Sequence, residues 1–249
     1  MSGHSKWATI KHKKAAVDAR RGKVFTKLIR ELTSAARMGG GDADMNPRLR
    51  TAVAAAKTAN MPSDTIQRAI NKGTGELPGE VYEEITYEGY GAGGVAVLVD
   101  VLTDNKNRTV AEIRHLFSKH GGNLGETGCV AWMFARKGFV ALNANQIDED
   151  TLLEIVLEAG GDDIRIEPDV YEIVTAPEAF EEVRSVLEQK GLTLDVAEVT
   201  MLPQNTVPVE GKQAEQVLRL MEALDDQDDV RKAHANFDIS EEVMAALAS

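Results

Sequence analysis

A single cysteine in 249 residues excludes a disulfide framework and a cysteine-based zinc site. Cys129 lies in the apolar run Cys129-Val130-Ala131-Trp132-Met133-Phe134, a setting for a buried thiol rather than a nucleophile. The five histidines, His4, His12, His115, His120 and His234, show neither an HExxH spacing nor any other metal spacing. Gly39-Gly40-Gly41 follows no strand pattern and carries no Lys-Ser/Thr, so it is no phosphate cradle. Long apolar runs are missing too. The run Gly94 to Val99 stops at Asp100, far short of the roughly 20 residues that span a bilayer. The N-terminus has no apolar segment of the secretory kind, and Gly22 to Met38 continues as a patterned helix rather than a cleavable leader. A cytoplasmic location is expected. Among 40 acidic residues no spacing singles out a catalytic pair, and Glu83-Glu84 and Asp225-Asp226 read as solvated acids. The sequence therefore predicts no enzyme, no cofactor and no metal.

What the chain does have is segregated charge. The net charge is -12, yet Met1 to Gly75 holds 15 basic and 5 acidic residues, leaving 13 basic and 35 acidic residues for the remainder. A basic third attached to an acidic body points to a polyanion-binding segment carried by a self-soluble one.

The basic third reads as helices. Phe25, Leu28, Ile29, Leu32, Ala35 and Ala36 recur at helical spacing, with Lys23, Lys27, Arg30, Ser34 and Arg37 on a basic outer stripe. The glycine triplet stops that helix. Asn46 caps a second with Pro47 at its first position, Leu49, Val53 and Ala56 turned inward and Arg50, Ala54 and Lys57 outward. A third runs from the cap Ser63 to Gly73 as the C′ residue. Together they predict a three-helix bundle over 1–76, ended by the linker Leu77-Pro78-Gly79.

Beyond the linker, β-branched and alternating runs predict strands at Tyr82–Tyr87, Val95–Leu102 and Val130–Phe134, with a helix from Val110 to Lys119. Next comes strand Phe139–Leu142, helix Glu149–Ala159, strands Ile164–Glu167 and Tyr171–Val174, helix Glu178–Lys190 and strand Asp195–Thr200. That βαββαβ order is the ferredoxin-like arrangement. Helix Ala214–Leu224 and strand Val230–Phe237 then complete the earlier unit. The expected fold is α+β: an N-terminal three-helix bundle, then two ferredoxin-like domains. The second domain is discontinuous (80–136 plus 203–249), and the third (137–202) is inserted into it.

Candidate nucleic-acid contacts follow from residue type and grouping. Lys6, Trp7, Lys11, His12, Lys13 and Lys14 form a basic arm with one aromatic, and Arg20, Arg21, Lys23 and Lys27 carry the charge into the first helix. Lys and Arg displace the counterions of phosphates, and Trp7 either stacks on a base or plugs the bundle. Arg50 and Lys57 extend the set. A second point lies at Asn105-Lys106-Asn107-Arg108-Thr109, where Lys106 and Arg108 precede a helix capped by Thr109 and would favour an anion at its start. Base-reading residues on a recognition helix are lacking, so sequence-specific readout is not expected.

Several segments resemble the YebC family: Gly3-His4-Ser5-Lys6-Trp7, Arg20-Arg21-Gly22-Lys23, Asn46-Pro47-Arg48-Leu49, Tyr87-Glu88-Gly89-Tyr90-Gly91, Asn105-Lys106-Asn107-Arg108-Thr109 and Gly121-Gly122-Asn123-Leu124-Gly125. Ala92 departs from the proline common after such a Tyr-Gly turn, which touches only local stiffness. The resemblance implies a three-domain cytoplasmic protein without cofactor or catalytic residues. Its bacterial members are described as DNA-binding transcriptional regulators, and its mitochondrial branch as a translational activator of cytochrome c oxidase. Three readings stand: a nucleic-acid-binding regulator of transcription, a translation factor docking on ribosomal RNA, and an acidic protein–protein adaptor. Phosphate contacts do not separate DNA from RNA.

Overall fold

The computed structural model describes residues 21–167 and 169–240. It is an α+β fold with helices first and two four-stranded sheets after them. The chain forms two compact units, one drawn from residues 21–129 with 215–233 and the other from 130–214 with 234–240.

In the first unit, α1 (Arg21–Gly39), α2 (Pro47–Thr58) and α3 (Ser63–Thr74) close a core of Leu32, Ala35, Leu49, Ala56, Ile66 and Ile70, packed by Phe25, Leu28 and Ile29. Asn46 does more than cap α2. Its Oδ1 accepts from Leu49 N at 3.1 Å, while its amide donates to the carbonyls of Ala35 and Gly40 at 2.8 and 2.9 Å, tying the α1–α2 turn shut. Two expected helix ends differ. Ser63 is the first helical residue of α3 rather than its cap, because Pro62 takes the extended cap position and no side chain bonds the first turn. Gly73 lies inside α3, and Gly75 is the left-handed residue that ends it, at φ 87°. Gly73 is needed for contact instead: a Cβ there would stand 2.4 Å from the Thr33 carbonyl oxygen on α1.

The first sheet has the order β3-β1-β2-β9, with β1 (Glu83–Tyr90), β2 (Ala96–Thr103) and β3 (Asn123–Leu124) joined late in the chain by β9 (Val230–Ala235). β1 pairs antiparallel with both β2 and β3, so β2, α4 (Lys106–Lys119) and β3 form a split βαβ. α4 and α7 (Gly211–Asp226) pack on one face: Phe117 of α4 fills the space a side chain at Gly89 would occupy, and Leu220 and Val217 of α7 lie over Gly91.

The second unit holds β4 (Phe134–Asn143), α5 (Glu149–Glu158), β5 (Gly161–Ile166), β6 (Val170–Thr175), α6 (Phe180–Gln189) and β7 (Leu194–Pro203). Its order β5-β6-β4-β7, with every neighbouring pair antiparallel, is ferredoxin-like. Asp148 caps α5, and Leu152, Val156, Val183 and Leu187 bury the helices against Val140, Leu142 and Ile173. The short strands β8 (Val207–Pro208) and β10 (Phe237–Asp238) pair in parallel. The strand expected at Val130–Phe134 is not formed. Ala131–Met133 make a 3-10 turn that leaves Trp132 66% exposed, and β4 begins only at Phe134.

Candidate nucleic-acid interface

Of the basic residues expected to face a ligand, Lys6, Trp7, Lys11, Lys13, Lys14 and Arg20 lie outside the described residues, as does the side chain of Arg21. The others fall into two sets with different surroundings.

The middle of the outer stripe of α1 does not face water, while Lys23 and Arg37 at its two ends are exposed. Ser34 is buried and Lys27, Arg30 and Glu31 are half-buried, because this stripe meets the end of α7 and the turn into β9. Lys23 Nζ stands 3.6 Å from Asp226 Oδ2, and Lys27 Nζ donates to the Asp225 carbonyl at 2.5 Å. Arg30 donates to the Asp228 carbonyl at 2.9 Å, pairs with the Asp229 carboxylate and lies over the Tyr82 ring at 5.7 Å. Asp226 is exposed at the helix end, as expected of a solvated acid, and it also faces Lys23 of α1, while Asp225 meets α1 through its backbone carbonyl. Glu83-Glu84 are paired likewise, Glu83 with Lys106 at 2.9 Å and Glu84 with Arg48 at 2.5 Å.

Asp229 is the centre of this contact. It is 2% exposed and accepts four hydrogen bonds from three donors besides Arg30: Thr109 Oγ1 at 2.6 Å, Arg108 NH2 at 2.9 and 3.1 Å to its two oxygens, and Thr103 Oγ1 at 3.4 Å. Burial pushes its carboxyl upward, but the Thr109 and Arg108 hydrogen bonds and the Arg30 charge outweigh that and hold it below the ordinary carboxylate range.

The second expected contact point is therefore built differently from its sequence reading. α4 starts at Lys106, capped by Asn105, whose Oδ1 accepts from Arg108 N at 3.1 Å. Thr109 is a buried helix residue, not the cap. Arg108 is committed to Asp104 and Asp229, which raise its affinity for its proton, and Lys106 is committed to Glu83. The protein's own carboxylates occupy the place expected for an outside anion.

The other set is open. Arg37 on α1, Arg50 and Lys57 on α2, and Arg68 and Lys72 on α3 are exposed, with no carboxylate partner among the described residues. Arg50 donates only to the Asp44 carbonyl at 3.2 Å. Sequence reading named Arg50 and Lys57. It left out Arg37 as a site residue, and it left out Arg68 and Lys72, whose i, i+4 spacing on α3 was the available signal.

Among the described residues no group of three His, Cys, Asp or Glu side chains could hold a metal, and no helix is long and apolar enough to cross a membrane. The Cys129 thiol is held protonated by burial and by Glu88, which removes the usual route to a nucleophile.

These features define a mixed α+β protein whose helical bundle carries a cation-rich surface. Profiles of the TACO1/YebC N-terminal domain and of the TACO1/YebC second and third domain match residues 5–76 and 82–237. The chain belongs to the TACO1/YebC family. It is 60% identical over 247 residues, covering 99% of this chain and all of the other, to a probable transcriptional regulatory protein of Desulforapulum autotrophicum. A relative of the same description from Syntrophobacter fumaroxidans is 60% identical over both full lengths. The crystal structure of a conserved hypothetical protein from Aquifex aeolicus is similar with a TM-score of 0.84 and 50% identity, over 96% of this chain and 99% of that one.

Proposed function

We propose that this protein is a non-enzymatic regulator of gene expression that binds nucleic acid through its N-terminal helical segment. The observation that carries the reading is the open set of cations on the bundle, Arg37, Arg50, Lys57, Arg68 and Lys72, in a chain whose remaining part is strongly acidic. Cations without carboxylate partners release condensed counterions when they meet phosphates, which favours binding irrespective of base sequence. The basic arm with Lys6, Trp7, Lys11, Lys13, Lys14, Arg20 and Arg21 continues that set in sequence. The names of its relatives agree with a regulatory role, and the cytoplasm is its proposed site of action. DNA is the proposed target. Ribosomal RNA is the second, and one observation favours it: 35 acids against 13 bases beyond Gly75 repel a long naked duplex but suit a particle that also offers basic protein surface.

Binding of the purified protein to a mixed-sequence DNA duplex and to a single-stranded RNA, across a salt series, tests this. The expected result is binding to both that weakens steeply with salt. Absence of binding to either at low salt overturns the reading. Crosslinking in cells, followed by sequencing of the bound nucleic acid, decides between the two targets.

A further inference from the structure

The basic face of α1 meets an acidic turn at the end of α7. Lys23, Lys27 and Arg30 stand at i, i+4 and i+7, a single helical face. Opposite them Asp225, Asp226, Asp228 and Asp229 present carboxylates and backbone carbonyls in succession, much as a nucleic-acid strand presents phosphates.

Two features mark this contact as separable. First, Asp225 and Asp226 occupy the last turn of α7, where the helix dipole is already negative and acids are unfavourable, and α7 has no basic residue in that turn. The acidic run works against its own helix and is compensated by α1. Second, the compensation is asymmetric. Asp229 keeps Thr103, Arg108 and Thr109 from its own side of the contact, so its socket stays satisfied when α1 leaves. The apolar core of the bundle closes among α1, α2 and α3 themselves. Its links to the sheet side at Lys23, Lys27, Arg30, Ser34 and Arg48 are ionic or polar, a class of contact that weakens as salt rises.

We infer that the Asp225–Asp229 turn is an internal stand-in for a phosphate strand, which covers Lys27 and Arg30 and pairs with the exposed Lys23 until a polyanion displaces it. The inference rests on the proposed nucleic-acid role of the bundle and adds a cryptic part to that surface. Docking of α1 on the turn and binding of nucleic acid by the same face exclude each other, so the protein discriminates against weak polyanions. A ligand must outcompete a contact held at high effective concentration.

The test uses the full chain with Asp225→Asn, Asp226→Asn and Asp228→Asn combined, leaving the buried Asp229 intact. A control with the same change in net charge carries Asp150→Asn, Glu154→Gln and Glu158→Gln, exposed residues on α5. Affinity for an RNA oligonucleotide and a DNA duplex is measured against salt. These substitutions remove the carboxylate that Lys23 meets and leave Lys27 and Arg30 their carbonyl partners, so unmasking predicts roughly threefold tighter binding at low salt and a slope steeper by about 0.7 to 0.9, the share of one cation that meets a phosphate. The control should change affinity less than about twofold, as expected for distant charges that are screened. Amide hydrogen exchange of the unaltered protein gives a second reading: RNA should slow exchange in α1 while speeding it at 225–230. Equal gains in both variants, or protection at 225–230, overturn the masking and leave nucleic-acid binding intact. No binding by any of the three proteins overturns the nucleic-acid role and the masking with it.

Discussion

Arg48 grips Glu31 through two parallel hydrogen bonds, Nε to Oε1 at 2.7 Å and NH2 to Oε2 at 3.0 Å, and so clamps α2 to α1. Its remaining nitrogen reaches Glu84 on β1, and Arg231 on β9 approaches the same two carboxylates at 3.8 and 3.9 Å. The Glu31 hydrogen bonds, with Glu84 behind them, more than offset burial and hold the guanidinium protonated. Arg48→Ala leaves the half-buried Glu31 and the exposed Glu84 with only the more distant Arg231 as a cationic partner, and should cost about 1–2 kcal/mol in a denaturant titration. Glu84→Gln, which keeps the clamp on Glu31, should cost clearly less.

Asp229 gives the stability a pH signature. Its carboxyl is held below the range it has in the unfolded chain, so its contribution is complete above about pH 4 and is lost as pH falls through the folded value. Unfolding free energies measured from pH 7 downward should fall more steeply for the native protein than for Asp229→Asn. Parallel curves would show that this carboxylate has no such role.

Gly73 and Gly75 stand two residues apart and should fail differently. Gly73→Ala drives a Cβ into the Thr33 carbonyl and should destabilise by about 2–3 kcal/mol through overpacking. At Gly75 the space is open but φ is 87°, so Gly75→Ala should cost about 1 kcal/mol of backbone strain. Thermal melts of the two variants give the order.

The salt slope separates the two groups of cations. Lys13→Ala, Lys14→Ala, Arg20→Ala and Arg21→Ala combined should lower the slope of log affinity against log salt by about 3 to 4 units if all four meet phosphates. Arg50→Ala with Lys57→Ala should lower it by about 1 to 2 units. Lys106→Ala and Arg108→Ala should leave the slope unchanged, since both cations are already paired, and Arg108→Ala should instead lower the melting temperature.

We expect the bundle to be a domain of its own within a three-domain chain. Residues 74–81 are exposed throughout, and Glu76 and Glu80 lie among them. A glutamate-specific protease at low enzyme ratio should cut there first, releasing the N-terminal segment, and faster in high salt, which loosens the ionic contacts to the sheet. First cleavage in α5, where Glu154 and Glu158 are also exposed, would contradict that division.

Much of the fold was legible because local signals and burial agree. The Asn46-Pro47 start of α2, the apolar periodicity of α1 and the βαββαβ rhythm of the second unit each depend on neighbours in sequence. The misreadings came from distant residues. Thr109 looks like a cap until the buried Asp229, 120 residues on, claims its hydroxyl. Trp132 sits in an apolar run yet faces out. The stripe Lys23, Lys27, Arg30 and Ser34 reads as solvated because a helix period shows which side is polar, not what lies against it. Its counterpart, the acid run at 225–229, was visible in the sequence but separated from it by some 200 positions. What the sequence did convey about the site was the uneven distribution of charge and the outward placement of Arg50 and Lys57.

The place of β9 in the first sheet fixes an order of events during synthesis. β1, β2 and β3 emerge from the ribosome early, but the strand that completes their sheet beside β2 follows the whole ferredoxin-like unit. Asp229 emerges with it. Until some 230 residues have been made, Lys23, Lys27 and Arg30 have no acidic turn to meet. The nascent chain thus passes through a stage in which this face of α1 lacks its acidic counterpart. Completion of the last strand ends that stage.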